Sequence, residues 1–258
     1  MSLSKLLPKR FHLRNPNGFP KLSQLSKILY PSRCPICGKI PPGQHSCCPD
    51  CYKSITFVRQ PFCFSCGKPL SSEEKEYCHD CVVHPKSFVR GFALAVYDSV
   101  TKPSLSAIKY KNKRQYLSFY ASETIRSYGP LLSSLQLEAI FPVPIHPKRM
   151  KKRGFNQASL FAHAIGISLH IPVYDSLLVR TQNTLPQKNL TPQQRLRNLQ
   201  KAFDLHPSYR DSSLPLKRVL LVDDIYTTGS TMEAITRLLL DHGVKEVYVF
   251  SICIGNGL

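Results

Sequence analysis

Cysteines are distributed very unevenly along this chain of 258 residues. Nine of the ten lie between Cys34 and Cys81, and Cys253 is the only one outside that segment. A short segment so rich in cysteine is stabilised by metal ions or disulfides, because it is too small to bury a large apolar core. The rest of the chain is long enough for an ordinary domain. The sequence therefore predicts a small cysteine-built module followed by a larger domain.

Eight of these cysteines form two copies of one pattern. Cys-Pro-Ile-Cys-Gly at 34–38 is followed by Cys-Pro-Asp-Cys at 48–51, and Cys-Phe-Ser-Cys-Gly at 63–67 by Cys-His-Asp-Cys at 78–81. A Cys-x-x-Cys turn followed by glycine aims two thiolates at one tetrahedral ion, so the spacing favours two structural Zn²⁺ ions over disulfides or free thiols. The expected ligands are Cys34, Cys37, Cys48, Cys51, Cys63, Cys66, Cys78 and Cys81.

The spacing does not decide how the four turns pair. Sequential pairing gives two zinc ribbons, whereas cross-braced pairing joins the first turn to the third. Cys47 adjoins Cys48, but only Cys48 keeps the Cys-x-x-Cys spacing with Cys51. Cys253 lies in the last apolar run and is expected to be a small buried hydrophobic residue.

Positive charge exceeds what solubility requires, since the formal net charge is +19. Such an excess indicates a polyanionic partner or an acidic membrane surface. Residues 1–33 contain seven Lys or Arg and no acid. Their apolar runs are too short for a signal peptide or a membrane span, so we expect a cytoplasmic protein with a basic, flexible arm. A tail that is merely solvated is the alternative.

Beyond the cysteines, predicted strands alternate with predicted helices. Apolar runs predict strands at 88–98, 137–143, 172–179, 200–205, 217–222 and 246–254. Apolar spacing predicts helices at 104–126, with a basic interruption at 109–114, and at 155–169 and 230–242. This alternation predicts an α/β domain with a mainly parallel sheet flanked by helices. The polar segment 181–199 is longer than a routine connection and is expected to be a mobile functional loop.

One strand is followed by residues suited to a sugar phosphate. The run Val-Leu-Leu-Val ends in Asp223 and Asp224, at the edge where open α/β sheets bind ligands. Backbone N–H groups and hydroxyls in the following turn would hold a phosphate, and the carboxylates would accept hydrogen bonds from ribose hydroxyls. A capping box from Ser230 to Glu233 would begin the next helix. The turn residues are Thr227, Thr228, Gly229, Ser230 and Thr231.

Two rival folds explain this strand less well. A receiver domain also has a first strand that ends in paired acids, but only 34 residues follow Asp224, too few for the rest of that fold. No GxxxxGK[ST] loop is present. Residues 219–231 resemble the phosphoribosyl pyrophosphate (PRPP) motif of type I phosphoribosyltransferases. The resemblance implies that fold for the larger domain, with PRPP bound together with Mg²⁺.

Two further segments extend the resemblance over most of the chain. FPVPIHPKRMKKRGFNQ at 141–157 and QKNLTPQQRLRNLQKAF at 187–203 are similar to signature blocks of the ComF family, also called ComFC. This implies a protein of the cytoplasm, peripheral to the inner membrane, that assists the handling of incoming single-stranded DNA during natural competence. The implied partners are PRPP, single-stranded DNA and the competence helicase. The implied domains are a basic arm at 1–33, a double zinc-ribbon module at 34–86 and a phosphoribosyltransferase-like domain at 87–258.

A basic segment follows the strand that ends in Pro-Val-Pro. Its cations are Lys148, Arg149, Lys151, Lys152 and Arg153. In related transferases the equivalent turn faces the pyrophosphate, so these side chains are expected to hold pyrophosphate or, alternatively, DNA phosphates. His146 is interpreted as structural rather than as a catalytic base, and Asn156 either caps a helix or contacts the ligand.

The catalytic residues and the acceptor stay open at this point. Thr227 stands where hypoxanthine–guanine transferases have an Asp that assists the purine, and residues 176–203 contain no Asp or Glu to act as a general base. An active phosphoribosyltransferase of unknown acceptor and a non-catalytic DNA-binding or adaptor protein therefore remain as alternatives. Basic and aromatic residues of the cysteine module would either bind DNA or, in the case of the aromatic ones, fill its small core. They are Lys53, Phe57, Arg59, Phe62, Phe64, Lys68, Lys75 and Tyr77.

Overall fold

A computed structural model describes residues 32–43, 45–181, 201–210 and 213–255. Residues from 33 onwards belong to one compact unit. The predicted basic arm lies outside the described residues, apart from its last two, and so does nearly all of the predicted loop at 181–199. Among the described residues, no helix is long and apolar enough to cross a membrane.

Short helices in the cysteine segment precede an alternation of strands and helices. In chain order the elements are α1 (Pro49–Ser54), α2 (His79–Val83), β1 (Arg90–Tyr97), α3 (Thr101–Tyr110), α4 (Tyr116–Ser134), β2 (Ala139–Pro142), α5 (Pro147–Arg153), α6 (Gln157–Leu169), β3 (Leu178–Arg180), β4 (Phe203–Leu205), β5 (Arg218–Tyr226), α7 (Ser230–Asp241) and β6 (Glu246–Gly255). A 3₁₀ turn at Pro207–Tyr209 follows β4.

Four parallel strands form the main sheet in the order β1, β6, β5, β2. Successive residues of β5 point to opposite faces, so Val219 and Leu221 join one apolar cluster while Leu220 and Val222 join the other. Helix α7 packs on the first face, and α3, α4 and α6 pack on the second. The mainly parallel α/β sheet flanked by helices is thereby confirmed.

Two predicted strands have different bounds in the structure. The run at 172–179 is broken by a turn at Asp175 and Ser176, both good turn formers, and only Val173 makes a bridge to β2. Its last part, β3, pairs with β4 in a separate antiparallel pair. Strand β5 continues beyond its predicted end because Ile225 and Tyr226 still pair with β6.

The cysteine segment packs against the outer edge of β1. The N–H of Val58 donates to the carbonyl of Leu94 at 3.0 Å, and the N–H of Gly91 donates to the carbonyl of Ser65 at 2.6 Å. A Cβ atom placed on Gly91 would lie 2.8 Å from the Cys66 carbonyl oxygen, so glycine is required for this close approach. The second cysteine turn thus lies directly against the sheet backbone.

Candidate functional site

The cysteines are grouped sequentially, which settles the pairing that the spacing left open. Within each group all four sulfur atoms lie within 4.8 Å of one another, and cross-braced pairing does not occur. Four thiolates about 2.3 Å from one tetrahedral Zn²⁺ would be about 3.8 Å apart. The sulfurs of Cys37 and Cys48 are 3.7 Å apart, and those of Cys66 and Cys78 are 3.6 Å apart. The first cluster is Cys34, Cys37, Cys48 and Cys51, and the second is Cys63, Cys66, Cys78 and Cys81.

The remaining two cysteines are buried. The Cys47 sulfur lies 3.6 Å from that of Cys34, yet Cys48 and not Cys47 completes the first cluster. Cys253 lies in β6, where burial raises the pKa of its thiol to about 12. Cys253 is therefore a neutral core residue, as expected.

Strand β5 places both carboxylates at the carboxyl edge of the sheet, beyond the end of β2 at Pro142. The buried Asp224 carboxylate forms an ion pair with Lys109, from the last turn of α3. Burial, together with the adjacent Asp224 carboxylate, raises the pKa of Asp223 well above its ordinary value. Cations or hydroxyl donors that approach the two carboxylates would therefore stabilise their ionised form.

The turn after β5 leaves polar groups exposed at the start of α7. Thr227 and Thr228 are exposed, and the Thr228 hydroxyl lies 2.9 Å from that of Ser230. Gly229 has a φ of +75°, and a Cβ atom there would lie 2.0 Å from the Tyr226 hydroxyl oxygen. Both the backbone conformation and the packing of the Tyr226 ring therefore require glycine. Helix α7 begins at Ser230, as predicted.

The predicted capping box is wrong. Gly229 is the N-cap of α7, and no side chain caps this helix. The Glu233 carboxylate instead accepts hydrogen bonds from the backbone N–H and the hydroxyl of Ser87, at 2.8 and 2.7 Å, and from Arg237 at 2.6 Å. A buried carboxylate needs several donors, and these three satisfy it better than one backbone N–H would. Glu233 thus ties α7 to the segment before β1.

The basic segment forms helix α5, not a turn. Its N-cap is His146, whose Nδ1 accepts a hydrogen bond from the Lys148 N–H at 3.2 Å. Partial burial and the nearby Arg180 lower the pKa of His146. Asn156 is a cap as well, because its Oδ1 accepts from the Ala158 N–H at 3.1 Å while its Nδ2 donates to the Val143 carbonyl at 2.9 Å.

The cations of α5 fall into two groups. Arg149 and Arg153 lie one turn apart and share a helix face. Arg153 is partly buried, and although burial lowers its pKa, the Asp224 carboxylate acts in the opposite direction. The other four basic residues are exposed to solvent: Lys148, Arg149, Lys151 and Lys152. Arg153 is thus the α5 cation that the structure brings to the carboxylates.

Sequence reasoning missed two cations at this site. Lys109 was interpreted only as part of a basic interruption in the predicted helix at 104–126, although it is paired with Asp224 in the structure. Burial lowers the pKa of Arg180, in β3, and the negative charge of Asp223 opposes that change, so Arg180 lies near the carboxylates. Nothing local marks Arg180, since only the folded β3–β4 pair brings it to the sheet edge.

The cysteine module packs two of its four candidate aromatic residues against its core. The Phe57 ring packs on Tyr52 with 5.1 Å between centroids, and Phe62 packs against buried residues. Lys68 is buried and forms an ion pair with Asp80 at 2.5 Å, so it is not free to hold a phosphate. Two aromatic residues, Phe64 and Tyr77, remain exposed as an edge-to-face pair.

Comparisons with known proteins bear on both parts of the chain. A family described as double zinc ribbon domain matches residues 25–82, and one described as phosphoribosyl transferase domain matches residues 157–256. Together these matches and the parallel sheet show a type I phosphoribosyltransferase fold preceded by a zinc-ribbon domain.

Three curated proteins are similar over most of their length. Competence protein F of Haemophilus influenzae is 31% identical over 229 residues, which cover 85% of this chain and 96% of that protein. DNA utilization protein YhgH of Escherichia coli strain K12 is 29% identical over 216 residues, covering 82% and 91%. Competence protein ComFC of Bacillus subtilis is 26% identical over 203 residues, covering 76% and 78%.

Proposed function

This chain belongs to the ComF family of competence proteins, and from that membership and the geometry of the sheet edge we propose that it binds PRPP or a related ribose 5-phosphate. In this proposal the protein binds the ligand together with Mg²⁺ and assists the handling of single-stranded DNA in the cytoplasm during natural transformation. The names of its relatives support a role in competence and DNA use. The ligand and the DNA step are the parts that we propose.

The observation that carries the proposal is the order of groups along β5 and α7. Two carboxylates lie at the carboxyl edge of the sheet, and an exposed turn with a required glycine leads from them into the amino end of a twelve-residue helix. Ribose hydroxyls would donate to Asp223 and Asp224. The 5-phosphate would accept from the N–H groups and hydroxyls of residues 227–231, beside the positive end of α7.

Cations around the carboxylates suit the remaining charge of PRPP. Mg²⁺ in proteins is held by one or two carboxylates and by phosphate oxygens, which Asp223, Asp224 and the ligand would supply. Arg153 and Arg180 lie near these carboxylates and would contact a pyrophosphate at this edge. In the structure Lys109 balances the charge of Asp224, and we expect this pair to rearrange when the ligand binds.

A second candidate function is an active phosphoribosyltransferase, and the arginines favour it. An acceptor would form a bond to the ribose C1 as the C1–O bond to pyrophosphate breaks, and the pyrophosphate would leave with the electron pair. Arg153 and Arg180 would stabilise that leaving group. Pyrophosphate release from PRPP can be measured with candidate acceptors. Release would distinguish this enzyme from a protein that binds PRPP without turnover and from an adaptor that does not bind PRPP.

Thermal unfolding tests the binding site. A ligand that binds only the folded state adds about 2.7 kcal/mol of stability at a hundred times its Kd, so PRPP with Mg²⁺ should raise the unfolding temperature. The double variant Asp223→Asn with Asp224→Asn should lose this rise. Asp175→Asn is the matched control, because Asp175 is exposed and pairs with His163 and not with a cation of the site. An unchanged response in the double variant would show that the ribose lies elsewhere.

A further inference from the structure

Two basic segments without acidic residues meet beside the candidate site. Residues 99–122 contain five Lys or Arg and no Asp or Glu, and α5 contains five Lys or Arg among its seven residues. The Arg153 guanidinium carbon lies 5.6 Å from the Tyr110 ring centroid, and that of Arg114 lies 4.3 Å from the Phe155 ring centroid. These contacts join the turn between α3 and α4 to α5, so the cations of that turn and of α5 form one patch.

An aromatic ring stands in the middle of this patch. Tyr110 is 74% exposed, the highest value among the exposed large apolar side chains of the described residues. Arg153 lies close to its ring, and the adjoining residues Lys111 and Arg114 are exposed as well. An exposed aromatic ring surrounded by cations is typical of sites that bind single-stranded nucleic acid, where a base stacks on the ring and the cations hold phosphates. A duplex offers no free base face to such a ring.

The lysines of this patch are available to a polyanion. Within the described part of the chain, none of them forms an ion pair with a carboxylate, whereas Lys109 is paired with Asp224. On α5 the three lysines occupy positions i, i+3 and i+4, so they share a helix face and are exposed, while Arg149 and Arg153 share another. The basic helix therefore serves the ribose phosphate site with one face and leaves the other to a second ligand.

We propose that this patch is the binding surface for single-stranded DNA, with one base stacked on the Tyr110 ring. We call it the Tyr110 surface and define it by Tyr110, Lys111, Lys113, Arg114, Lys148, Lys151 and Lys152. The inference rests on the proposed function in taking DNA as the partner. It goes further because it places the single-stranded DNA next to the ribose phosphate site. Lys109, in the same turn of α3 as Tyr110, is paired with Asp224.

Stacking is tested with Tyr110→Ala and a labelled oligothymidylate, by fluorescence anisotropy. Loss of one base–aromatic contact should weaken binding by at least about 5-fold at every salt concentration. Tyr110→Phe should keep the parent affinity, since it keeps the ring. Tyr77→Ala is the matched control in the cysteine module, where the aromatic residue is 48% exposed.

The charges are tested with two double variants, Lys111→Gln with Lys113→Gln and Lys151→Gln with Lys152→Gln. Each neutralised phosphate contact lowers the log–log salt dependence by about 0.7 for single strands, so each pair should flatten the slope by up to about 1.4. The control is Lys217→Gln with Lys245→Gln, which removes the same charge just before β5 and β6, at the opposite edge of the sheet. This control should keep the parent slope.

Two outcomes would overturn the Tyr110 surface. One is that Tyr110→Ala binds the oligonucleotide as the parent does; weaker binding by Tyr77→Ala would in that case place the DNA on the cysteine module. The other is that substitution of the control lysines flattens the salt dependence as much as substitution of the surface lysines does. The DNA would then be attracted by the net charge of the protein and not by this surface. Failure of PRPP to stabilise the parent protein would instead refute the proposed ribose phosphate ligand and leave these DNA results standing.

Discussion

The cysteine clusters and the carboxylate site gather their polar groups in opposite ways. Each cluster takes all its sulfurs from one short stretch, at 34–51 or at 63–81. The carboxylate site takes Asp223 from β5, Lys109 from α3 and Arg180 from β3, which become neighbours only when the sheet forms. A metal centre built locally can fold by binding its ion, whereas the carboxylate site needs the whole domain. The two regions should therefore respond differently to substitution.

The largest effect is expected for a cysteine in the second cluster. Structural Zn²⁺ sites contribute apparent free energies of about 10–16 kcal/mol, so Cys66→Ser should lose one of two bound Zn²⁺ ions and unfold the surrounding segment. Metal analysis of the purified protein gives the number of bound Zn²⁺ ions. A less cooperative thermal unfolding transition would show the structural effect. If Cys66→Ser still held two ions, the cluster would not be the zinc site that its sulfur distances indicate.

A smaller effect, confined to the sheet domain, is expected for Gly229→Ala. The new methyl group would meet the Tyr226 ring in a backbone conformation that alanine disfavours, which should cost about 2 to 5 kcal/mol in the free energy of unfolding. The response to PRPP should be lost as well, while both Zn²⁺ ions are kept.

Gly129→Ala is the matched control for this substitution. Gly129 lies within α4, where an added Cβ atom would be 3.6 Å from Ile125, an ordinary contact. Because Pro130 follows Gly129 inside the helix, an alanine Cβ would crowd the proline ring, so this substitution should destabilise the protein, though by less than Gly229→Ala does. Equal destabilisation by the two substitutions in chemical denaturation would show that the Gly229 turn is not under the constraint described.

Asp223→Asn is expected to stabilise the protein near neutral pH. A carboxyl whose pKa is raised on folding binds more protons in the folded state, so the free energy of unfolding falls as pH rises from the ordinary value to the raised value, and it stays lower above that. Asparagine removes this cost. The gain should be present above the raised pKa and should vanish as pH falls towards the ordinary value for aspartate. The free energy of unfolding should be measured with denaturant over a pH series for this variant and for Asp175→Asn. The same pH dependence in both variants would contradict the prediction.

The smallest effect on metal content is expected for Cys47→Ser. Its sulfur is close to Cys34 but lies outside the group of four, so the zinc count should stay at two. Stability should change by no more than about 1–3 kcal/mol, the usual cost of burying a new hydroxyl. A loss of one ion would make Cys47 a ligand in place of Cys48.

Sequence reasoning succeeded where the signal is local. The cysteine spacing and the segments at 141–157, 187–203 and 219–231 indicated the family, and the alternation of apolar runs predicted the parallel sheet, because each of these signals lies in residues that are neighbours in the chain. It failed where partners are distant. Glu233 was assigned to a helix cap but bonds Ser87, and Arg180 was overlooked because β3 and β4 bring it to the site. Lys68 was one of several candidates for holding phosphates, but Asp80 pairs with it in the folded module.

The contact between the cysteine module and β1 has a consequence for solubility. Strand β1 is at the end of the sheet, and residues 56–58 and 65 occupy backbone groups on its open side, including those of Gly91, Leu94 and Val96. A bare strand of this kind is a template for pairing with other chains, and it leads to aggregation. Metal loss would uncover that template. The cysteine module thus protects this strand from self-association, and a shortened chain that begins at residue 87 would need another cover for the strand.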